Sequence, residues 1–305
     1  LTTSEIVALS TAQIQSLTTA QASALGTAQV VALETADFAA LTTRNIAALL
    51  TSQVVALTSD EIVALTSAQA LSLTSDEVTA LTTAQLVSME TADFAALSNS
   101  NIAALLTAQV SALTSAEIVA FTSSQAQSLT TAQVFALKTA QVAALETADF
   151  VALVSDAIAA MATAQVAAIT TAQAQSLTVT QAQALGTAQV QALETADFAS
   201  INTQSLNALD TAQMVAITTA QAQSLTTRQA VALSAGQLVA LETRDFAAIS
   251  TSTLAALLTS QASSLTTAQV VALSTAQAQS LTTAQVFALG TAQVQALETV
   301  DFASI

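Results

Sequence analysis

Residues 130–137 read TTAQVFAL, and the whole chain consists of variations on this phrase in one unbroken frame. The 305 residues divide into one boundary residue and 38 octads, with no insertion or deletion inside any octad. A short period that never breaks indicates one repeat array rather than separate globular domains. We predict a single solenoid array over residues 1–305. We expect it to be a fragment of a longer chain, because neither end carries an atypical capping repeat.

The octad separates into positions of distinct chemistry when position one is set at Thr130 and position eight at Leu137. Position eight is large and apolar in every copy, position five is apolar in every copy, and position seven is always Ala or Ser. Positions one and two are mostly Thr or Ser, and position four is mostly Gln. We therefore predict a core formed by positions five and eight. Representative core residues are Leu129, Val134, Leu137, Phe38 and Phe94.

The polar residues at the start of each octad predict a helix start. Thr130 followed three residues later by Gln133 is a capping box, in which each residue satisfies a free backbone amide of the other. Glu34 and Asp37 occupy the same two positions, and we predict that they also cap a helix and complement its dipole. Where position one is apolar, as at Leu50, the hydroxyl at position two is an alternative cap. The sequence leaves both registers open.

The period of eight favours short helices over one long helix. At 3.6 residues per turn, eight residues advance an α-helix by about 80° beyond two full turns, which would spread the leucines around the whole rod. A kink at each octad boundary keeps positions five and eight on the inside. We predict an all-α solenoid, or superhelix, with one short helix per octad. The alternative is a β-solenoid, which would turn position eight outward and which lacks corner residues, since the chain has 4 Gly and no Pro.

A longer repeat lies over the octads. We call the octads resembling ETADFAAL the ETADF octads; they begin at Glu34, Glu90, Glu146, Glu194, Glu242 and Glu298. Their starts are separated by 56, 56, 48, 48 and 56 residues, so the module gains or loses one whole octad. An octad ending in Ser-Leu always stands three octads earlier. We interpret the octad as the structural unit and the module as a record of duplication.

The composition restricts the function. With 4 basic and 20 acidic residues, the formal net charge is −16, which disfavours nucleic acid as a partner. The chain has no His and no Cys, so it lacks the usual general base and the commonest metal ligands. We predict no enzymatic activity, no cofactor and no metal centre. No apolar run approaches the roughly 18 residues of a membrane span, so we also expect no membrane insertion.

Three surface features are candidates for contact. Phe135 and Phe287 stand at the variable position six, and we predict that they make lateral contacts between copies. The paired acids Glu34 and Asp37 offer a weak calcium contact as an alternative to capping. The Thr and Ser rows offer a regular surface for ice or glycan, although helix capping accounts for the same residues.

Two resemblances rest on these phrases. The stretch LTTAQVVAL at residues 265–273 resembles the opening helix of TAL-effector repeats, but the longer repeat, base-reading loop and basic surface of that family are absent, so DNA recognition does not follow. The tandem TAQVxAL octads resemble repeat regions of very long bacterial proteins often labelled haem-utilisation or adhesion proteins. This resemblance implies a secreted or surface-attached repeat region. It implies no haem site here, because His, Cys and Tyr are all absent.

These observations together predict an extracellular structural or adhesive repeat protein at the bacterial surface, which self-associates into a filament, sheath or matrix. The first alternative is a binding module that presents its Thr and Ser rows to ice or glycan. The second is a passive spacer arm.

Overall fold

The computed structural model describes residues 1–297, and these residues form short α-helices with no strand among them. Each octad of the described range contains one helix, so the predicted all-α solenoid is confirmed and the β-solenoid is excluded. The last ETADF octad, with Phe302, lies outside the described residues.

The contacts group the chain into two compact units, residues 1–153 and residues 154–305. The helices of unit 1 are α1 Thr3–Val7, α2 Thr11–Gln15, α3 Thr19–Ser23, α4 Thr27–Val30, α5 Thr35–Ala39, α6 Thr43–Ile46, α7 Thr51–Ala56, α8 Ser59–Val63, α9 Ser67–Ser72, α10 Ser75–Ala80, α11 Thr83–Ser88, α12 Thr91–Ala96, α13 Asn99–Ala104, α14 Thr107–Ala112, α15 Ser115–Val119, α16 Ser123–Ser128, α17 Thr131–Ala136, α18 Thr139–Ala144 and α19 Thr147–Ala152.

The described helices of unit 2 are α20 Ser155–Ala160, α21 Thr163–Val166, α22 Thr171–Ser176, α23 Val179–Ala184, α24 Thr187–Ala192, α25 Thr195–Ser200, α26 Thr203–Asn207, α27 Thr211–Ala216, α28 Thr219–Ser224, α29 Thr227–Ala232, α30 Ala235–Ala240, α31 Thr243–Phe246, α32 Thr251–Ala255, α33 Thr259–Ser264, α34 Thr267–Val271, α35 Thr275–Ser280, α36 Thr283–Ala288 and α37 Thr291–Ala296. Within each unit, a helix packs against the helix three places later in the chain.

Every described helix begins at position two, with position one as its N-cap, which resolves the register that the sequence left open. At Thr130, the Oγ1 atom accepts a hydrogen bond from the Gln133 amide at 3.3 Å. Gln133 Oε1 in turn accepts one from the Thr130 amide at 2.8 Å. Where position one is Leu50, its amide still donates to Gln53 Oε1 at 2.6 Å. The glutamine half of the box therefore works even where the N-cap has no hydroxyl.

The kink between helices is made of two extended residues. After α17, Leu137 has φ −61° and ψ 139°, and Lys138, the N-cap of α18, has φ −75° and ψ 158°. Any L-residue adopts these angles without strain. Residues 1–297 accordingly contain no positive φ, which explains why an array with so many bends needs neither frequent Gly nor Pro.

Positions five and eight form the core. Leu129, Val134 and Leu137 are all buried, and the ETADF phenylalanines Phe38 and Phe94 have no exposed surface. A helix of five or six residues is unstable alone, because nucleation costs more than so few hydrogen bonds return. Its stability therefore depends on packing these apolar side chains against neighbouring coils.

Candidate functional site: the contacts between successive coils

The glutamine at position four is buried and bonds one coil to an earlier one. Gln133 is only 2% exposed. While its Oε1 accepts from its own N-cap, its Nε2 donates to the carbonyl oxygen of Leu105 at 2.7 Å and of Ile102 at 2.8 Å. Both carbonyls lie at the C-terminal end of α13, where the i+4 amides of a continuing helix are missing, although the Ile102 carbonyl also accepts from the Leu105 amide at 3.2 Å. One amide side chain thus satisfies the start of one helix and the end of another.

These bonds show how the helices of successive coils are offset. Gln133 and Leu105 are 28 residues apart, or three and a half octads. Helices in successive coils are therefore staggered: each packs on the helix three places earlier and bonds to the end of the helix four places earlier. We call the glutamines that bond the carbonyl 28 residues earlier the glutamine ladder. Its rungs include Gln29, Gln53, Gln69, Gln85, Gln109, Gln125, Gln133 and Gln141 in unit 1, and Gln189, Gln213, Gln221, Gln229, Gln237, Gln261, Gln269, Gln277, Gln285 and Gln293 in unit 2.

The residue preference at position four is a sequence signal for the ladder, which helix capping does not require. A capping box accepts Glu as readily as Gln, because only an oxygen acceptor is needed. The strong preference for Gln at position four indicates that an N–H donor is needed as well. The structure shows where that donor goes.

The ETADF octads contain a second contact between coils. Asp93 is buried, and its Oδ1 accepts a 2.6 Å hydrogen bond from Ser67 Oγ, 26 residues earlier. The equivalent bond joins Thr11 to Asp37, Ser123 to Asp149, Thr171 to Asp197 and Thr219 to Asp245. In every described module the hydroxyl donor comes from the Ser-Leu octad at residues 10–17, 66–73, 122–129, 170–177 or 218–225.

Glu34 and Asp37 differ from the prediction that both cap a helix. Glu34 does occupy the N-cap of α5, but its side chain makes no capping hydrogen bond. Glutamate is a poor N-cap because its longer side chain does not fold back as readily as that of Asp or Ser. Asp37 instead accepts from Thr11 Oγ1 at 2.8 Å, in the coil below.

The fixed order of octads in the module follows from these contacts. The Ser-Leu octad and the ETADF octad always stand three octads apart, whereas the octad gained or lost in the longer module falls outside that interval. The next octad adds a further bond to the same Ser-Leu octad: Asn101 Nδ2 donates to the Leu73 carbonyl at 2.9 Å. Our interpretation of the module as a duplication record is therefore incomplete, since part of its order is a spatial pairing.

Where an ETADF octad packs against its Ser-Leu octad, a large core residue also stands opposite a small one. Phe94 on α12 and Phe150 on α19 are fully buried, and the residues at position five three octads earlier are Ala70 and Ala126. The helices that carry them pack against one another. Phe94 also meets Phe121 edge to face, with ring centroids 5.4 Å apart. A bulky side chain opposite a small one fills the space between coils without overpacking.

Glutamate replaces glutamine at three buried ladder positions of unit 1, Glu61, Glu77 and Glu117, and the first two of these leave a carboxylate oxygen without a partner. Thr58 N donates to Glu61 Oε2 at 2.7 Å and Thr74 N donates to Glu77 Oε2 at 2.6 Å, so the capping half of the contact is kept. Both residues are buried, and the Oε1 atom of each has no hydrogen-bond partner. Burial raises the pKa of both carboxyl groups, while the hydrogen bonds from Thr58 and Thr74 oppose the rise and the neighbouring Asp60 and Asp76 add to it.

The outer surface carries apolar side chains at position six. Phe135 is 62% exposed and Phe287 is 85% exposed, and Leu71, Val55 and Val271 are exposed at the same position. Among residues 1–297, no three acidic residues form a group that could hold a metal ion. None of the helices described in that range is long and apolar enough to cross a membrane.

The profile of the ALTTAQ repeat matches seven segments, at residues 1–35, 30–67, 86–123, 142–179, 190–227, 238–275 and 270–299. The segments that begin at 30, 86, 142, 190 and 238 each start four residues before the glutamate of an ETADF octad, so they follow the module described above. No curated protein matches this chain significantly. Because the matched segments cover well over half of its length, the chain belongs to the ALTTAQ repeat family.

Proposed function

We propose that the chain is a structural repeat protein that associates with further copies of itself into a filament, sheath or matrix outside a bacterial cell. The observation that carries this proposal is the glutamine ladder, which bonds each coil to an earlier one by buried side chains throughout both units. Length in such an array is added one octad at a time with the same set of contacts. Nearest-neighbour contacts of this kind suit a protein whose task is extension and stiffness.

Exposed apolar residues at position six supply the proposed contact between copies. A largely exposed Phe side chain gains roughly 2 to 3 kcal/mol when it is buried, and Phe135 and Phe287 stand on helices whose other positions follow the common pattern. The extracellular location follows the resemblance of the TAQVxAL octads to secreted bacterial surface proteins. An adhesive role uses the same exposed side chains.

The test is assembly of the Phe135→Gln/Phe287→Gln double variant. Gln is the natural residue at position six of several octads, including Gln191 and Gln295, so the variant keeps a native octad sequence. We expect the unaltered protein to form long uniform assemblies in negative-stain images and the variant to assemble at a several-fold higher concentration. The control is Val119→Gln/Val239→Gln, which changes the same position at smaller side chains. Dispersed monomers of the unaltered protein at high concentration would contradict the proposal and favour a passive spacer arm.

The position of the N-cap supports a second candidate, binding of ice or glycan. Because capping uses position one, the Thr at position two is the first residue of the helix, and it is exposed in octads such as those of Thr131 and Thr139. Ice-shaping or glycan retention that disappears in Thr131→Val/Thr139→Val variants would place this function ahead of self-association. Equal behaviour of the variants and the unaltered protein would exclude it.

A further inference from the structure

Glutamate replaces glutamine in the ladder at Glu61, Glu77 and Glu117, and at Glu61 and Glu77 a buried carboxylate oxygen without a hydrogen-bond partner takes the place of the amide nitrogen. In both residues Oε2 accepts from the N-cap amide, as the glutamine Oε1 does elsewhere. The remaining Oε1 therefore corresponds to the glutamine Nε2. It is buried and has no hydrogen-bond partner.

The register of the ladder identifies what this oxygen faces. Each ladder glutamine donates to the carbonyl 28 residues earlier, which corresponds to Leu33 for Glu61 and Leu49 for Glu77. A carboxylate oxygen cannot donate a hydrogen bond, and its charge repels a carbonyl oxygen at that place. A protonated carboxyl group has an O–H donor and can make the bond that glutamine makes.

We propose that Glu61 and Glu77 are proton-binding sites, at which a proton on Oε1 is donated to the carbonyl oxygen of the earlier coil, so that mild acid strengthens the contacts between coils of unit 1. The two sites stand 16 residues apart on α8 and α10. The raised pKa of each carboxyl group agrees with this geometry.

The charged groups around both sites favour proton uptake. Asp60 and Asp76 precede the two glutamates on their own helices. α8 packs against α5 and α11; α5 carries Asp37 and has Glu34 as its N-cap, and α11 carries no charged residue. α10 packs against α7 and α13, which carry no charged residue either.

The helices whose C-terminal ends face Glu61 and Glu77 are α4 and α6, and they carry one cation between them. Arg44, on α6, is exposed. α4, which precedes Leu33, has no charged residue. The charged groups around Glu61 are therefore all acidic, whereas Glu77 has Asp76 beside it and the exposed Arg44 on the helix whose end it faces.

The direction of the pH effect follows from the raised pKa. The stabilisation is fully present below the pKa of the unfolded chain and is lost as the pH rises through the higher pKa of the folded state. Acidification from about pH 7.5 to about pH 5 should therefore favour the folded state. Each group changes the unfolding equilibrium by up to about tenfold per pH unit within its window.

The test is the Glu61→Gln/Glu77→Gln double variant, which restores the residue found in the other rungs and is thus expected to fold. We expect its denaturant midpoint to be at least as high as that of the unaltered protein near pH 7.5 and to depend less on pH. The control, Glu90→Gln/Glu194→Gln, removes two exposed carboxylates and should retain the pH dependence.

Infrared spectroscopy gives a direct second measurement. The unaltered protein should show the stretch of a protonated, hydrogen-bonded carboxyl group at mildly acidic pH, and the double variant should have a weaker band. An unchanged band together with an unchanged pH dependence would overturn the proposal. A double variant less stable than the unaltered protein at every pH would also overturn it, because glutamine would then not fit the sites as the ladder requires.

Discussion

Ser67 Oγ donates a 2.6 Å hydrogen bond to Asp93 Oδ1 across 26 residues of chain, which joins a Ser-Leu octad to the ETADF octad of the next coil. The acceptor is buried and the donor is exposed, so the bond lies at the edge of the core. The same pair of octad positions is bonded in all five described modules. The ETADF octads therefore combine this contact with a buried Phe at position five.

Removal of both partners should show that the bond is a pairwise interaction. In a double-mutant cycle with Ser67→Ala and Asp93→Ala, we expect a coupling free energy of about 1 to 3 kcal/mol, because the acceptor is a buried carboxylate. Urea unfolding measured by circular dichroism gives the four free energies. Ser115, also at position two but without a bonded Asp, is the matched control: Ser115→Ala combined with Asp93→Ala should be additive. Additivity in both cycles would refute the assigned role.

Loss of a ladder glutamine should cost more than loss of an exposed one. Gln133→Leu keeps the side-chain size but removes the side-chain donor to the carbonyls of Leu105 and Ile102 and the acceptor of the Thr130 amide. We expect the free energy of unfolding to fall by about 2 to 4 kcal/mol, the cost of buried acceptors left unsatisfied. Gln127→Leu changes an exposed position-six residue of the preceding helix and should have an effect below about 0.5 kcal/mol. Equal effects of the two substitutions would show that the ladder bonds do not contribute to stability.

The pairing of Phe with Ala in adjacent coils predicts a compensating exchange. Phe150→Ala should cost about 3 to 5 kcal/mol through the cavity that it leaves. Ala126→Phe should cost about 1 to 3 kcal/mol through overpacking. Because both residues occupy position five of helices that pack together, the double variant should be less destabilised than the sum of the single variants. Strict additivity in thermal or urea unfolding would argue that the two side chains do not share one space.

Asp149 should make unit 1 less stable as the pH rises. Burial raises the pKa of its carboxyl group and Glu146 adds to the rise, while the hydrogen bond from Ser123 opposes it. A raised pKa in the folded state means that the contribution is complete below the pKa of the unfolded chain and is lost as the pH rises through the folded value. Asp149→Asn should therefore flatten the stability profile between about pH 4 and about pH 7.

The control for Asp149 is Asp156→Asn, at an exposed carboxylate, which should leave the profile unchanged. Glu146→Gln should act in the same direction as Asp149→Asn but more weakly, because it removes one cause of the shift and retains the burial. A profile that Asp149→Asn does not alter would show that this carboxyl group does not titrate differently in the folded and unfolded states.

An apolar N-cap offers a stabilising substitution. Leu106 is 51% exposed at position one, and although its amide donates to Gln109 Oε1 at 2.8 Å, its side chain makes no cap. Leu106→Thr should increase stability by about 0.5 to 2 kcal/mol by completing the capping box. The converse change, Thr130→Leu, should decrease stability by a similar amount. A destabilised Leu106→Thr variant would show that the exposed leucine has a packing role which outweighs the missing cap.

The sequence by itself determined the helices, their caps and the two apolar positions of the core. Thr130 and Gln133 meet within one octad, and Val134 and Leu137 fall on one side of a short helix, so local geometry settles these features. What only the tertiary structure decided is which octads meet. The bond from Gln133 to Leu105 and the bond from Ser67 to Asp93 depend on the number of octads in a coil. That number follows from the angle at each two-residue kink, which is summed over the octads of a coil and which no residue pattern inside a single octad specifies.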